Sequence, residues 1–346
     1  MKNKLLLVTF PVDLGNKTFE KRFIQLFKNA VDLDVYRFIP NQQPVNSLVK
    51  YASTIGNRFY NSFELQKRVR KANQEGRTIL FHGVSPALFA YPAVKYGSSF
   101  IVTDWTRKLY EPINSELMSP KWLTFIHKKV LNAQKSVIGL TDAVVQEIIR
   151  DYDIPPQKLK KAHLPFSSDL EMFMPSPNRN DNEVRLLFVG GDFIRKGGEL
   201  LLDWIAQKST LNIRLTMVTN HPVKETNNVT VEKNIHYGQK EHIELYRNQD
   251  ILVLPTKCDS YPSVLGEAAC AGLAVLTTKN ALGAPEVIQH ETNGYISNTQ
   301  EELLDYLDKL VVDKQLIESM KKKSRYLMES QFSENLVLDN FMNYLF

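Results

Sequence analysis

The stretch Ile251-Leu-Val-Leu-Pro-Thr-Lys-Cys-Asp-Ser-Tyr-Pro-Ser-Val-Leu-Gly-Glu-Ala-Ala-Cys-Ala-Gly-Leu-Ala-Val-Leu-Thr277 decides the fold. It opens on a short apolar run, Ile251 to Leu254, closed by Pro255, which reads as a strand. Ser263 to Ala271 reads as a helix, with Ser263 placed as an N-cap and Gly272 where a left-handed C-terminal residue belongs. Ala274 to Thr277 returns as a buried strand. Strand, helix and strand in this order predict a parallel sheet covered by helices.

The same rhythm runs through the chain before it: Val184–Val189 and Ile213–Val218 are strand candidates, and no short-period repeat or low-complexity tract occurs. In the first half Leu5–Phe10, Thr78–Phe81, Phe100–Thr103 and Val137–Leu140 are further strands, and Phe19, Phe23, Ile24 and Phe27 recur at helical spacing. The polar stretch from Ser176 to Asn182 has a proline and no apolar periodicity, and reads as a linker. The expected fold is therefore α/β, with two doubly wound parallel-sheet domains. Ligands of such sheets bind at the carboxyl ends of the strands.

Composition agrees with this size and class. The chain has 346 residues, 43% hydrophobic and 23% charged, which suits two soluble globular domains and excludes a wholly disordered chain. No apolar run approaches the ~20 residues of a spanning helix. The apolar N-terminus is short and lacks a small-residue cleavage site, so it reads as a first strand and not a signal peptide. Cys258 and Cys270 cannot build a disulfide framework or a four-ligand zinc site, and a reducing, cytoplasmic setting is expected. The net charge of +5 is unevenly spread: residues 1–175 carry 25 Lys and Arg against 15 Asp and Glu, and residues 176–346 carry 18 against 23. A basic first half suits an anionic substrate, an anionic membrane face or nucleic acid, or is a solvated surface. The aromatic and basic residues at 58–70 reproduce no RNA-binding signature, so no nucleic-acid partner is expected.

Two loops carry the candidate chemistry. Asp259 lies in the loop at a strand's carboxyl end, Glu267 one turn into the helix, and the helix start between them favours an anion such as a pyrophosphate. The two carboxylates are suited to accept hydrogen bonds from sugar hydroxyls; the alternative is that Glu267 partners the helix dipole and Asp259 is an ordinary turn residue. Phe188-Val-Gly190-Gly191-Asp-Phe-Ile-Arg195-Lys196-Gly-Gly198 is a glycine-rich strand-to-helix loop whose adjacent cations suit a diphosphate. An ordinary basic turn is the alternative. The spacing is neither the dinucleotide G-x-G-x-x-G nor a Walker A loop.

Together these residues resemble a known family. Asp259-Ser-Tyr261-Pro262-Ser263-Val264-Leu-Gly-Glu267 is similar to the acidic-x7-Glu signature of the glycogen-synthase-like retaining glycosyltransferases, family 4, of GT-B fold. Gly238, Asp250–Thr256, Gly283-Ala-Pro-Glu286, Asn293-Gly294 and Phe332-Ser333 resemble further family elements in the expected order. The likeness covers roughly residues 184–335, and the first half only diffusely.

The resemblance implies two Rossmann-like domains facing a central cleft: residues 1–176 for the acceptor and 177–330 for the nucleotide sugar, with a helix in 331–346 packing back on the first. It implies a retaining glycosyltransferase, of hexosyltransferase type, moving a sugar from a UDP- or GDP-sugar to a saccharide or lipid-linked acceptor in cell-surface glycan or glycolipid synthesis. Arg195 and Lys196 would stabilise the leaving diphosphate, Glu267 would bind ribose, and Asp259, where the family has Glu, would contact the donor sugar. Gly190, Gly191, Gly238, Tyr261, Pro262 and the amides of Ser263 and Val264 would line the donor site. Gly15 and Asn16 would follow the first strand, and His82 and Asp104 would stand in the acceptor pocket. No metal or cofactor is implied. The basic amphipathic segment 119–131 either faces the core with a solvated edge or meets an anionic membrane on its inner face. Two rival readings stay open: a sugar-nucleotide-binding relative without turnover, and a GT-B epimerase or phosphorylase.

Overall fold

Runs of Leu, Ile, Val and Phe with no polar alternation can be satisfied only as strands buried on both faces, and they form the centre of two parallel sheets. The structure, a computed structural model, describes residues 2–11, 14–41, 54–94, 99–110, 120–176, 181–208 and 210–346. The first sheet contains β1 (Lys4–Thr9), β2 (Asp32–Arg37), β3 (Thr78–His82), β4 (Ser99–Thr103), β5 (Ser136–Gly139) and β6 (Leu159–Lys161), in the order β2-β1-β3-β4-β5-β6. The second contains β7 (Val184–Val189), β8 (Ile213–Val218), β9 (Val229–Glu232), β10 (Ile251–Leu254), β11 (Ala274–Thr278) and β12 (Gly294–Ser297), in the order β12-β11-β10-β7-β8-β9. The paired strands of both sheets run parallel.

Renumbered within its own unit, the second sheet has the order 3-2-1-4-5-6 of dinucleotide-binding folds. Its topological switch point lies between β7 and β10, which pair through Ile251 with Leu186 and Leu252 with Leu187. In the first sheet the switch point lies between β1 and β3. These two points fix where ligands meet each unit.

The chain divides into residues 1–165 with 337–346, and 166–336. The change of unit therefore comes at Pro165–Phe166 and not at residue 176. Phe166 explains the earlier boundary: its ring lies where any Cβ on Gly266 would stand, 5.6 Å from Phe332 and 6.1 Å from Tyr261. Phe173 likewise packs 5.0 Å from Tyr246 and 5.3 Å from His242. Two large aromatics thus commit 166–173 to the second core. Positions 177–180 of the expected linker, 12–13 of the first loop and 119 of the basic segment lie outside the described residues.

The last helix, Glu334–Leu345, returns to the first unit from Val337 onward. Phe341 is fully buried, edge-on to Phe23 at 5.2 Å and to Phe27 at 5.8 Å, and Tyr344 donates to the Lys161 carbonyl at 3.0 Å. Edge-to-face aromatic packing adds to the burial itself. Phe341→Ala is therefore expected to lower the stability of the first unit by about 3–5 kcal/mol, measured by urea unfolding. A wild-type transition midpoint would contradict this packing.

Candidate active site

The loops leaving β7 and β10 are neighbours because their strands pair at the switch point, and they are tied to each other by their backbones. The Lys257 amide donates to the Arg195 carbonyl at 2.8 Å. Gly197, with φ of +81°, sits where any Cβ would drive into the Pro255 carbonyl, so only glycine admits this approach. A Cβ on Gly190 would meet the Phe188 ring at 2.8 Å, whereas one on Gly191 would meet nothing within 4 Å.

The two cations converge on Asp259. Lys196 Nζ contacts its Oδ2, and Arg195 Nη1 stands 3.6 Å from the same atom. Arg195 also donates to the Cys258 carbonyl and, through Nε, to Asp192 Oδ2 at 2.9 Å. Burial first, and then the adjacent Arg195 charge, lower the Lys196 ammonium to about 7; Asp192 and the Cys258 thiol act the other way. The direct Asp259 contact also opposes that lowering, because a carboxylate favours the charged amine.

Beyond this pair, the helix Ser263–Cys270 begins at Pro262, whose carbonyl accepts the Leu265 amide at 3.0 Å. The Ser263 and Val264 amides precede that first bond and stand at the positive end of the helix. Ser263 is not the N-cap, as the sequence led us to expect: Pro262 holds that place with no side-chain cap. The Ser263 hydroxyl instead donates to Glu267 Oε1 at 3.1 Å, one helical turn on. Glu267 is only 3% exposed; its Oε2 accepts the Tyr246 hydroxyl at 2.8 Å and lies 3.6 Å from His242 Nε2. His242 accepts the Gly238 amide on Nδ1 at 3.4 Å, where Gly238 adopts φ of +82°. Tyr261 is buried, and its ring fills the space that a Cβ on Gly283 would need.

The second unit thus brings together Gly190, Gly191, Arg195, Lys196, Asp259, Ser263 and Val264 around the β7 and β10 ends, with Gly238 joined to Glu267 through His242. His242 and Tyr246 were missed in the sequence. Their signal is a four-residue spacing on one face of the helix Lys240–Arg247, four and eight residues after Gly238.

In the first unit, Gly15 and Asn16 lie in the first turn of the helix Leu14–Phe27 and not in a loop. His82 ends β3, buried, with its ring stacked on Phe19 at a centroid distance of 3.5 Å. Burial lowers its pKa to about 3, so it is neutral and has little basicity for proton transfer at neutral pH. Its Nδ1 has no hydrogen-bond partner among the described residues. Asp104 is half-buried in the loop after β4. Two residues on, Thr106 is buried and donates to Glu147 Oε2 from the helix Asp142–Tyr152. Burial raises Glu147 to about 7. No group of three or more His, Cys, Asp or Glu able to hold a metal occurs among the described residues.

These sheet orders and loop positions define two doubly wound units of the GT-B fold. Residues 171–326, which lie in the second unit, match the family described as glycosyl transferases group 1. A glycosyltransferase from Rickettsia africae ESF-5 has the same fold, with a TM-score of 0.77 at 16% identity over 99% of this chain and 98% of that one. The Anabaena protein Alr3699/HepE, solved in complex with UDP and glucose, gives a TM-score of 0.74 at 14% identity over 99% of both chains. An uncharacterized glycosyltransferase of Haemophilus influenzae is 29% identical over 94 residues, a match that spans 27% of this chain and 27% of that relative.

The raised Glu147 has a consequence for stability. From its unfolded value of 4.5 up to about 7, the native carboxyl holds a proton that the unfolded chain releases. Its stabilising contribution is complete below 4.5 and is lost as pH rises through 7. Wild type should therefore lose up to about 3 kcal/mol between pH 4.5 and 8 from this group, and Glu147→Gln should flatten that slope in thermal unfolding. Identical pH slopes in the two proteins would refute the assignment.

Proposed function

We propose that the protein is a retaining glycosyltransferase that transfers a hexose from a UDP- or GDP-sugar to a saccharide or lipid-linked acceptor in the synthesis of a cell-surface glycan or glycolipid. One observation carries the reading: Arg195 and Lys196 converge with Asp259 beside a helix N-terminus at the switch point of the unit that matches the glycosyl transferases group 1 family. The UDP and glucose held by the Anabaena protein support a nucleotide-sugar donor.

The diphosphate draws Lys196 from Asp259 and takes charge from both cations and from the Ser263 and Val264 amides. Glu267, oriented by Tyr246, accepts ribose hydroxyls, and Asp259 turns to the donor sugar. The bond from the anomeric carbon to the leaving phosphate oxygen breaks as the acceptor oxygen bonds to that carbon on the same face. The acceptor proton passes to the leaving phosphate oxygen. Asp104 in the first unit orients the acceptor hydroxyl; His82, buried and neutral, takes no proton. Arg195 and Lys196 supply the positive charge, so the scheme needs no metal. Removing one such charge from a dry site costs on the order of several kcal/mol of transition-state stabilisation.

A second reading, a sugar-nucleotide-binding protein without turnover, is favoured by the closed Lys196–Asp259 pair. Release of nucleoside diphosphate from a donor panel, with anomer analysis of the product by NMR, separates the two and also tests retention. Lys196→Ala and Glu267→Ala are each expected to lower that release at least about tenfold while the protein still folds, as checked by circular dichroism. Wild-type rates in both variants would remove the site assignment.

The helix Lys121–Ala133 is proposed to meet an anionic membrane. Trp122 is 63% and Phe125 56% exposed, Lys129 lies 4.4 Å over the Phe125 ring, and a groove of about 380 Å³ opens between Phe125, Lys128, Lys129 and Tyr91. No helix among the described residues is long and apolar enough to cross a bilayer. Sedimentation with vesicles containing phosphatidylglycerol should be lost on Trp122→Ala with Lys129→Glu, and with purely zwitterionic vesicles. Equal binding to both vesicles would end the proposal.

A further inference from the structure

The loop after β4 places a part-exposed indole next in sequence to a carboxylate: Trp105 is 37% exposed and follows Asp104 at the carboxyl end of β4. Its backbone is fixed on both sides. The Thr103 hydroxyl donates to the Trp105 carbonyl at 2.6 Å and accepts the Trp105 amide at 3.1 Å. The next residue, Thr106, is buried and donates to Glu147, which is 1% exposed and whose Oε1 has no hydrogen-bond partner among the described residues. Two polar anchors, one of them a costly buried carboxyl, hold the loop in place with the indole still open to solvent.

An indole on a fixed backbone, next in sequence to a carboxylate, matches the chemistry of a pyranose. One ring face of a sugar presents C–H groups, which suit the negative face of an aromatic ring, while its rim presents hydroxyls that donate to a carboxylate. A neutral sugar ring offers both a C–H face for the indole and hydroxyls for the carboxylate.

We propose that Trp105 is the acceptor platform: a pyranose ring of the acceptor stacks on its indole with a hydroxyl on Asp104, and Glu147, through Thr106, is the positioning residue of this platform. The proposal rests on the glycosyltransferase reading above and names the acceptor class as one with a terminal pyranose.

Saturation-transfer NMR on the full chain, irradiating aromatic protons, tests it with methyl glycosides of glucose, galactose, mannose and N-acetylglucosamine as probes. At least one glycoside should receive saturation at its ring C–H protons. Trp105→Ala should reduce this at least fivefold, and Trp105→Phe should retain most of it. Glu147→Ala should reduce it, and Glu147→Gln, whose amide oxygen still accepts the Thr106 hydroxyl, should restore it. The same glycoside should shift the emission of Trp105 in a protein carrying Trp122→Phe and Trp204→Phe, which leaves Trp105 as its one tryptophan, a readout independent of whether Trp105→Ala folds. Transfer that is unchanged in Trp105→Ala, or no glycoside contacting the wild type, overturns the platform. Thermal shift by UDP and GDP, run on the same samples, keeps the two readings apart. Its loss in wild type counts against the glycosyltransferase site, and its persistence alongside a Trp105-independent sugar signal counts against the platform alone.

Discussion

Everything in the second unit turns on the contact between Lys196 and Asp259 across the β7–β10 switch point. Two loops that would otherwise be independent are locked there by charge, by the Lys257–Arg195 backbone bond and by the approach of Gly197 to Pro255. A buried ion pair is weak evidence for stability, since desolvation offsets much of its attraction. What it does provide is an ordered Lys196 already stripped of most of its water, beside an Arg195 held by Asp192 and the Cys258 carbonyl but 40% exposed. An arriving anion meets cations already in place, so ligand binding costs less in ordering than it would at two mobile side chains.

The two units contrast in how their titratable groups are kept. In the second unit the candidate groups are paired: burial lowers Lys196 to about 7, but its amine sits against the Asp259 carboxylate. In the first, His82 is held neutral by burial against Phe19, and burial drives Glu147 toward its neutral form. A site that handles a diphosphate requires fixed charge. One that holds a neutral sugar gains from hydrogen bonds and an aromatic face, with no charge to compete for the leaving phosphate. The distribution agrees with the division of labour proposed here, and with a proton that leaves on the phosphate and not through a histidine.

Much of this was legible in the chain, for a physical reason that also explains what was not. The strands read from sequence, β1, β3, β4, β5, β7, β8, β10 and β11, are inner strands, covered on both faces and therefore unbroken runs of apolar residues. The four that escaped, β2, β6, β9 and β12, are the edges of their sheets. Their faces are partly solvated, as in Asp32–Arg37 with no fully buried residue, so the apolar signal is diluted. The cationic and acidic loops were legible because their residue types follow strand ends directly. Ser263 misled because a hydroxyl before a helix usually caps it, and here the Glu267 carboxylate one turn on takes the bond. Glu147 left no mark at all: its environment is made by Thr106, 41 residues away in sequence.

The substitution of Asp for the family's Glu at 259 fits this geometry. The Asp259 backbone is stitched to the loop after β11, its amide donating to the Asn280 carbonyl and its carbonyl accepting the Leu282 amide, both at 2.9 Å. With the backbone fixed, a side chain one methylene shorter keeps its carboxylate against Lys196. On the proposed reading, Asp259 can serve the donor sugar only after the diphosphate has claimed Lys196. Phosphate and sugar contacts are then coupled through a single ammonium: a free sugar meets a carboxylate already neutralised, whereas a nucleotide sugar frees it by the same charge that binds it. Discrimination against unactivated sugars would follow from that exchange without any residue devoted to rejecting them.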